Sequence, residues 1–230
     1  CAIATPAAQT VANVTSDIPI VATAVTDYKT AKLIKDDAKP GTNVTGTTDM
    51  NPVAEQLDLL LKLVPNAKTI GTIYCSSEVN SQLQVELLKK AAAAKGITVK
   101  EATVSTVNDI QQAARSLAGD VQAVYVPTDN VLASAVPTLI SVTEEAKLPV
   151  ICAEGGMVRA GGLATLGVDY YKLGFQTGVM AADILSGKSK PADMAIQAQK
   201  EFKPTINLKE AAKIGLTVPE DLLKGAEVIK

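Results

Sequence analysis

Short runs rich in Val, Ile and Thr alternate with helix-length segments along most of this chain. That alternation constrains the fold more than any other feature. Residues 69–75 form an apolar, β-branched run, and 80–95 carry a helical pattern that stops at Gly96. Then come a strand at 98–102, a helix at 107–117 followed by Gly119, a strand at 123–126, a helix at 132–146 and a strand at 149–153. Strands separated by helices of this length are joined by right-handed crossovers and lie parallel. The opening reads the same way: strand 3–5, helix 6–14, strand 18–25, a short strand at 42–46 and a helix at 52–63. Pro6 takes the first helical position, where its missing N–H costs nothing, and Thr5 is placed to cap that helix.

Pro65-Asn66-Ala67-Lys68 separates the two blocks. After 163–168 the pattern gives a long helix over 170–186 ended by Gly187, and a strand around 194–199. Two short helices follow, at 208–214 and 219–223. No tandem sequence repeat is present, yet the two halves repeat one architecture. The expected fold is α/β: two Rossmann-like lobes of parallel sheet flanked by helices. Aromatic residues are 3% of the chain and Trp is absent, so the core is aliphatic, as buried parallel strands require.

The same composition excludes several kinds of chemistry. The chain has no His, which removes the commonest general base, the usual nucleophilic triads and most zinc sites. Cys1, Cys75 and Cys152 have no metal-type spacing, and the last two end apolar runs as small hydrophobes do. Neither a phosphate-binding GxxxxGK[ST] loop nor a GxSxG elbow occurs, and Gly155-Gly156 and Gly161-Gly162 match no dinucleotide fingerprint. No catalytic residue, cofactor or metal is expected. A net charge of -2 gives no reason to expect nucleic acid as a partner. No apolar run is long enough to span a bilayer, and Ala2-Ile3-Ala4 after Cys1 reads as buried strand, not as the polar spacer of a lipidated cysteine.

Ligands of open α/β sheets bind beyond the carboxyl ends of the strands. Small polar residues stand at nearly every such end: Thr5; Thr26 and Asp27; Thr48 and Asp49; Ser76, Ser77 and Glu78; Thr128 and Asp129; Glu154; Asp169 with Tyr170. A helix amino end attracts an anion by about 0.3–1 kcal/mol, so a ligand carboxylate can dock there. Asp129, Glu154 and Asp169 supply charges for an ammonium group, and together the set suits a zwitterion such as an amino acid. Each of these residue types is also an ordinary helix cap, and capping alone accounts for any one position taken singly.

Six stretches in order resemble one family. They are Ala4-Thr-Pro-Ala-Ala-Gln9, Thr45-Gly-Thr-Thr-Asp49, Val126-Pro-Thr-Asp-Asn-Val131, Gly155-Gly-Met-Val158, Leu166-Gly-Val-Asp-Tyr-Tyr-Lys-Leu-Gly174 and Ile206-Asn-Leu-Lys209 with Gly215-Leu-Thr-Val-Pro219. The chain resembles, over its whole length, the ABC-transporter substrate-binding proteins that include tryptophan/tyrosine-binding lipoproteins. The resemblance implies a type I periplasmic-binding-protein fold with a ligand in an interlobe cleft. Residues 1–67 would form the first lobe and 68–163 the second. Residues 164–187 would return to the first lobe, and 188–230 would pack back across the second. It implies capture of an amino acid, aromatic in known members, for a membrane permease. The full-length form would be extracytoplasmic, periplasmic or anchored as a lipoprotein.

Tyr28 stands where Pro is common in the family; it either stacks on an aromatic ligand or covers the hinge. The resemblance also begins part-way into the first lobe, with two βα units lacking before Cys1. The chain is therefore expected to be a fragment whose first lobe exposes apolar surface, self-associates and binds ligand weakly. Two other functions fit the same fold: a sensing module of a receptor or regulator, and a small α/β enzyme working through Asp and Glu.

Overall fold

A computed structural model describes all 230 residues. The chain folds as two compact units and passes between them three times. It begins in unit 1 with β1 (Ala2–Ile3), α1 (Thr5–Val14), β2 (Ile20–Thr23) and β3 (Val44–Thr48). After Met50 it enters unit 2. There it forms α2 (Val53–Leu63), β4 (Thr69–Cys75), α3 (Val79–Ala94), β5 (Thr98–Val104), α4 (Ile110–Leu117) and β6 (Val124–Val126). Next come α5 (Asn130–Ser134), α6 (Val136–Glu145), β7 (Val150–Cys152), α7 (Gly155–Arg159) and β8 (Ala164–Gly167). It returns to unit 1 for α8 (Tyr170–Leu185) and β9 (Gln197–Ala198). It ends in unit 2 with β10 (Lys203–Asn207), α9 (Leu208–Ile214), α10 (Glu220–Leu223) and β11 (Glu227–Ile229).

Unit 1 is a four-stranded parallel sheet in the order β1-β2-β3-β9. Ile3, Thr23 and Thr47 share the face on which α8 packs. Thr23 Oγ1 lies 3.1 Å from Thr47 Oγ1, which lies 2.8 Å from Thr177 Oγ1 of α8. Helix α8 seats Leu173, Thr177 and Met180 inward, spaced by four and three residues as one helix face demands. Its opposite side is also apolar and is exposed at Tyr171, Phe175, Val179 and Leu185. Of the ten large apolar side chains standing exposed in the whole chain, only Val107 is outside unit 1. The apolar exposure expected of the first lobe is thus present.

Unit 2 is a seven-stranded sheet in the order β11-β10-β8-β7-β6-β4-β5. All neighbours are parallel except β10 with β8. Strand alternation builds a core on each face. Ile73, Cys75, Val124, Val126, Val150 and Cys152 join α4 and α6 on one side. Ile70, Tyr125, Ile151 and Ile206 join Leu57 and Leu60 of α2, Leu88 of α3 and Ile214 of α9 on the other. Gly71 is small for a reason: a Cβ there would sit 2.8 Å from Leu117 Cδ1 of α4.

Several sequence-based expectations need correction. The first division falls at Met50 and Asn51, not at 67, because α2 belongs to unit 2. Its Leu57 and Leu60 are fully buried in the unit 2 core. Gln56 donates to the carbonyls of Ala153 and Leu166 and accepts from the Tyr125 hydroxyl. The 65–68 stretch is an ordinary helix-to-strand loop. Strand β8 stays in unit 2, paired on both edges, and 188–202 stay in unit 1, where β9 pairs with β3. The expected 132–146 helix is two helices, broken at Ala135 (φ -140°) just ahead of Pro137. Gly155-Gly156, for which the sequence predicts no element, opens the short helix α7, capped by Glu154. Thr5 does not cap α1: it is the first helical residue, and Ala4 holds the cap position.

Candidate functional site

In unit 1 the carboxyl ends of β2 and β3 and the start of α8 converge on Asp49, which is buried. Thr26 donates to its Oδ1 at 3.0 Å, and Tyr170 donates its phenol to Oδ2 at 2.8 Å. Thr48 donates to the Thr26 carbonyl at 2.7 Å and accepts from the Met50 N–H, which locks the two strand ends together. Asp169 Oδ1 caps α8 by accepting from Tyr171 and Lys172 N–H groups; no hydrogen bond within the chain engages its Oδ2. The Asp169 backbone is fixed by Gln199, whose amide exchanges two hydrogen bonds with it at 2.9 and 2.6 Å. Asp27 accepts from the Thr30 N–H at 2.6 Å and is half-buried.

Tyr28 corrects the expectation that it meets ligand or covers a hinge. It is fully buried, and its hydroxyl lies 3.0 Å from the carbonyl oxygens of Ala22 and Thr47. Burial pushes its pKa well above the ordinary phenol range. Gly46 makes this possible. Its φ is +151°, and a Cβ there would lie 1.8 Å from the Ala22 oxygen and 2.5 Å from the Tyr28 hydroxyl. The ring is a brace across β2 and β3.

In unit 2 the ends of β4 and β6 are tied by a polar network. Asp129 is buried, and its Oδ1 accepts from the Leu132 N–H at 2.9 Å. Its Oδ2 accepts from the Cys75 N–H at 2.6 Å and the Ser81 hydroxyl at 2.7 Å. Burial raises its pKa against the opposing pull of those N–H groups. Glu78 faces the amino end of α5, accepting from the N–H groups of Asn130 and Val131 and from the side-chain amides of Asn80 and Asn130. Thr128 exchanges two hydrogen bonds with Gln84, at 2.8 and 2.9 Å, and accepts from Asn51 at 3.2 Å. Glu154 spends both oxygens on the Gly156 and Met157 N–H groups. Ser76 and Ser77 are exposed.

The three carboxylates expected to hold an ammonium group therefore differ. Asp129 and Glu154 are consumed by helix amino ends, as is Glu78, while Asp169 keeps an oxygen. Sequence reasoning missed Asn51, Ser81, Gln84 and Gln199. The polar positions of α3 carried a weak signal: Asn80, Ser81 and Gln84 lie on one helical face with Leu88 and are buried. Gln199 carried none.

Two α/β units threaded by one chain, each with a polar rim at its parallel strand ends, make up the type I periplasmic-binding-protein fold. The family description "ABC transporter substrate binding protein" matches residues 1–230, and the chain belongs to that family, one of binding proteins and not of enzymes. A tyrosine-binding protein of Clostridioides difficile (strain R20291) is 44% identical over 206 residues, which are 90% of this chain and 59% of that relative. The chain thus spans about three-fifths of the length of the curated relatives it matches. Among solved structures, the ABC domain from Streptococcus pneumonia in complex with L-Trp aligns at a TM-score of 0.95 and 42% identity, covering 99% of this chain and 77% of that one. A conserved domain protein of Vibrio cholerae aligns at 0.96 and 41%, with the same coverage.

Proposed function

We propose that this chain captures an aromatic amino acid for an ABC importer, handing it to a membrane permease from the extracytoplasmic side. The observation that carries the reading is the close likeness to a domain solved with L-Trp, joined to 44% identity with a tyrosine-binding protein. The proposed contacts are Thr5, Asp27, Asp49, Asp169 and Tyr170 in unit 1, and Ser76, Ser77 and Thr128 in unit 2. Tyr170 suits an aromatic ligand: its hydroxyl is held by Asp49 and its ring is partly exposed. Asp169 Oδ2 offers a negative charge to the ligand ammonium.

Titration calorimetry of the chain with L-Trp, L-Tyr, L-Phe, L-Leu and L-arabinose tests this. Saturable binding of the aromatic amino acids, with leucine and arabinose weaker by tenfold or more, is expected at a difference of about 1.4 kcal/mol or above. The chain has no Trp, so bound L-Trp is also visible by its own fluorescence. Equal or tighter binding of leucine or arabinose refutes the reading.

A further inference from the structure

We propose that the open edge of β5, together with the flank of α4, is a strand-addition surface of unit 2, which takes an extended segment of another protein carrying a Lys or Arg. Strand β5 ends the seven-stranded sheet and pairs only with β4, in unbroken register over seven residues. The Thr98 N–H donates to the Lys68 carbonyl, and the Val104 carbonyl accepts from the Ser76 N–H. Peptide groups alternate in direction along a strand. The even-numbered residues of β5 therefore serve β4, and the N–H and C=O groups of Val99, Glu101 and Thr103 point to the free edge. The strand contains no Pro and no bulge. Its charged side chains do not guard it, since Lys100 pairs with Asp120 and Glu101 with Lys89. An edge of this kind is a template for a further strand.

A groove of about 440 Å³ lies beside this edge, between β5 and α4. Ala102 packs with Val104 against the core on the α4 side, so its side chain faces that helix. Ala102 and Ala113 line the groove with two methyl groups, which leaves room for a larger side chain from outside. Gln112 and Ser116, four residues apart on α4 and both exposed, form its wall. A strand laid along β5 would send every second side chain into this groove and expose the others. Backbone bonds to Glu101 and Thr103 would hold it, and the groove would select what it carries.

Charge decides the occupant. The charged residues that line the groove are both acidic, Glu101 and Asp109. Glu101 is taken by Lys89 on the α3 side, so Asp109 is the charge the groove presents. Asp109 Oδ2 accepts from the N–H groups of Ser105 and Thr106 and from the Thr106 hydroxyl, while no hydrogen bond within the chain engages Oδ1. Those N–H groups hold the carboxyl below the usual carboxylate range, so it is ionised at neutral pH. A Lys or Arg fits: its aliphatic stem lies on Ala102 and Ala113 and its head reaches Oδ1. Val107, two residues before Asp109, is the one large apolar side chain exposed in unit 2 and adds contact area at that end.

The test is amide hydrogen exchange by NMR on the 230-residue chain with two blocked heptapeptides of alternating Thr and Val, one with a central Lys and one with a central Glu. At millimolar concentration the Lys peptide should slow exchange at Glu101 and Thr103, whose N–H groups are free, and leave Lys100 and Ala102 unchanged. It should bind about fivefold more tightly than the Glu peptide, the upper range for an exposed ion pair. Asp109→Asn, which keeps an oxygen for the Ser105 and Thr106 N–H groups, should abolish that difference. Thr103→Pro removes only an outward N–H, so the chain should fold and lose the protection at Glu101. The remaining amide signals report whether each variant is folded. No slowing at Glu101 and Thr103 with either peptide, or equal binding of the two by the unsubstituted chain, overturns the proposal. Protection of those amides that rises with protein concentration in the absence of peptide overturns it too, since the occupant would then be a second copy.

Discussion

Tyr170, the first residue of α8, donates its hydroxyl to Asp49 Oδ2 just past the end of β3, and so ties a helix start to a strand end across 121 residues of sequence. Replacing Tyr170 by Phe removes a donor from a buried carboxylate. Unit 1 should lose about 1–3 kcal/mol of stability, read by urea unfolding. L-Trp affinity should fall as well, while a Tyr171→Phe control, whose side chain is exposed, should change neither.

Gly46→Ala should be far more damaging than its single methyl suggests. The new Cβ would overlap the Ala22 carbonyl and displace the Tyr28 hydroxyl, so a loss of roughly 4 kcal/mol or more is expected. Gly174→Ala in α8 meets nothing within 4 Å and should stabilise by about 1 kcal/mol through helix propensity. Thermal unfolding of the two variants separates steric from conformational effects; equal destabilisation by both would contradict the bracing role of Tyr28.

Stability of unit 2 should fall as pH rises from about 4.5 to 7. Burial, reinforced by the neighbouring Glu144 carboxyl, raises the Glu210 pKa to about 7. Between the unfolded and folded values the native state holds the extra proton, so its advantage is complete below 4.5 and lost through 7. Glu144 acts in the opposite sense. Its hydrogen bond from Lys213 lowers its pKa, and that contribution is present above the unfolded value and lost toward acid. Glu210→Gln should flatten the decline between pH 5 and 8 in urea titrations; an unaltered slope would assign it elsewhere.

The outer row of α8 should make the chain self-associate. Tyr171 and Phe175 are 84% and 69% exposed, and Val179 and Leu185 extend the row along the helix. Apolar surface of that kind favours contact between copies. Light scattering should show mass rising with concentration, and Phe175→Lys should suppress it. A monomer at every concentration in the unsubstituted chain would rule this out.

Much of the architecture was legible because it is written in local periodicity. Strand β4 and helix α9 coincide with the patterns that announce them, and Gly96, Gly187 and Gly215 stop helices at positive φ. Strand β10 was missed: five residues containing a Pro carry little pattern, and its place is decided by pairing with β8 from forty residues away. The unit boundary was misplaced because the sequence shows where a helix ends but not which sheet its apolar face will cover. The site was legible as a set of polar strand ends and not as roles. Whether Asp129 points out to solvent or accepts from Cys75 and Ser81 depends on neighbours 54 and 48 residues away.

The strand that flanks β8 reaches unit 2 only after α8 and β9 have been laid down in unit 1. Ile206 of that strand is fully buried among residues of β6, β7 and α2. Neither unit can therefore be excised as one continuous stretch of gene. A break after Gly167 would leave unit 2 with a bare sheet edge and a hole where Ile206 belongs, and unit 1 without α8. During synthesis the nascent chain must carry that open edge through a further thirty-five residues before β10 can close it, which makes the interval one in which chaperone protection would matter most.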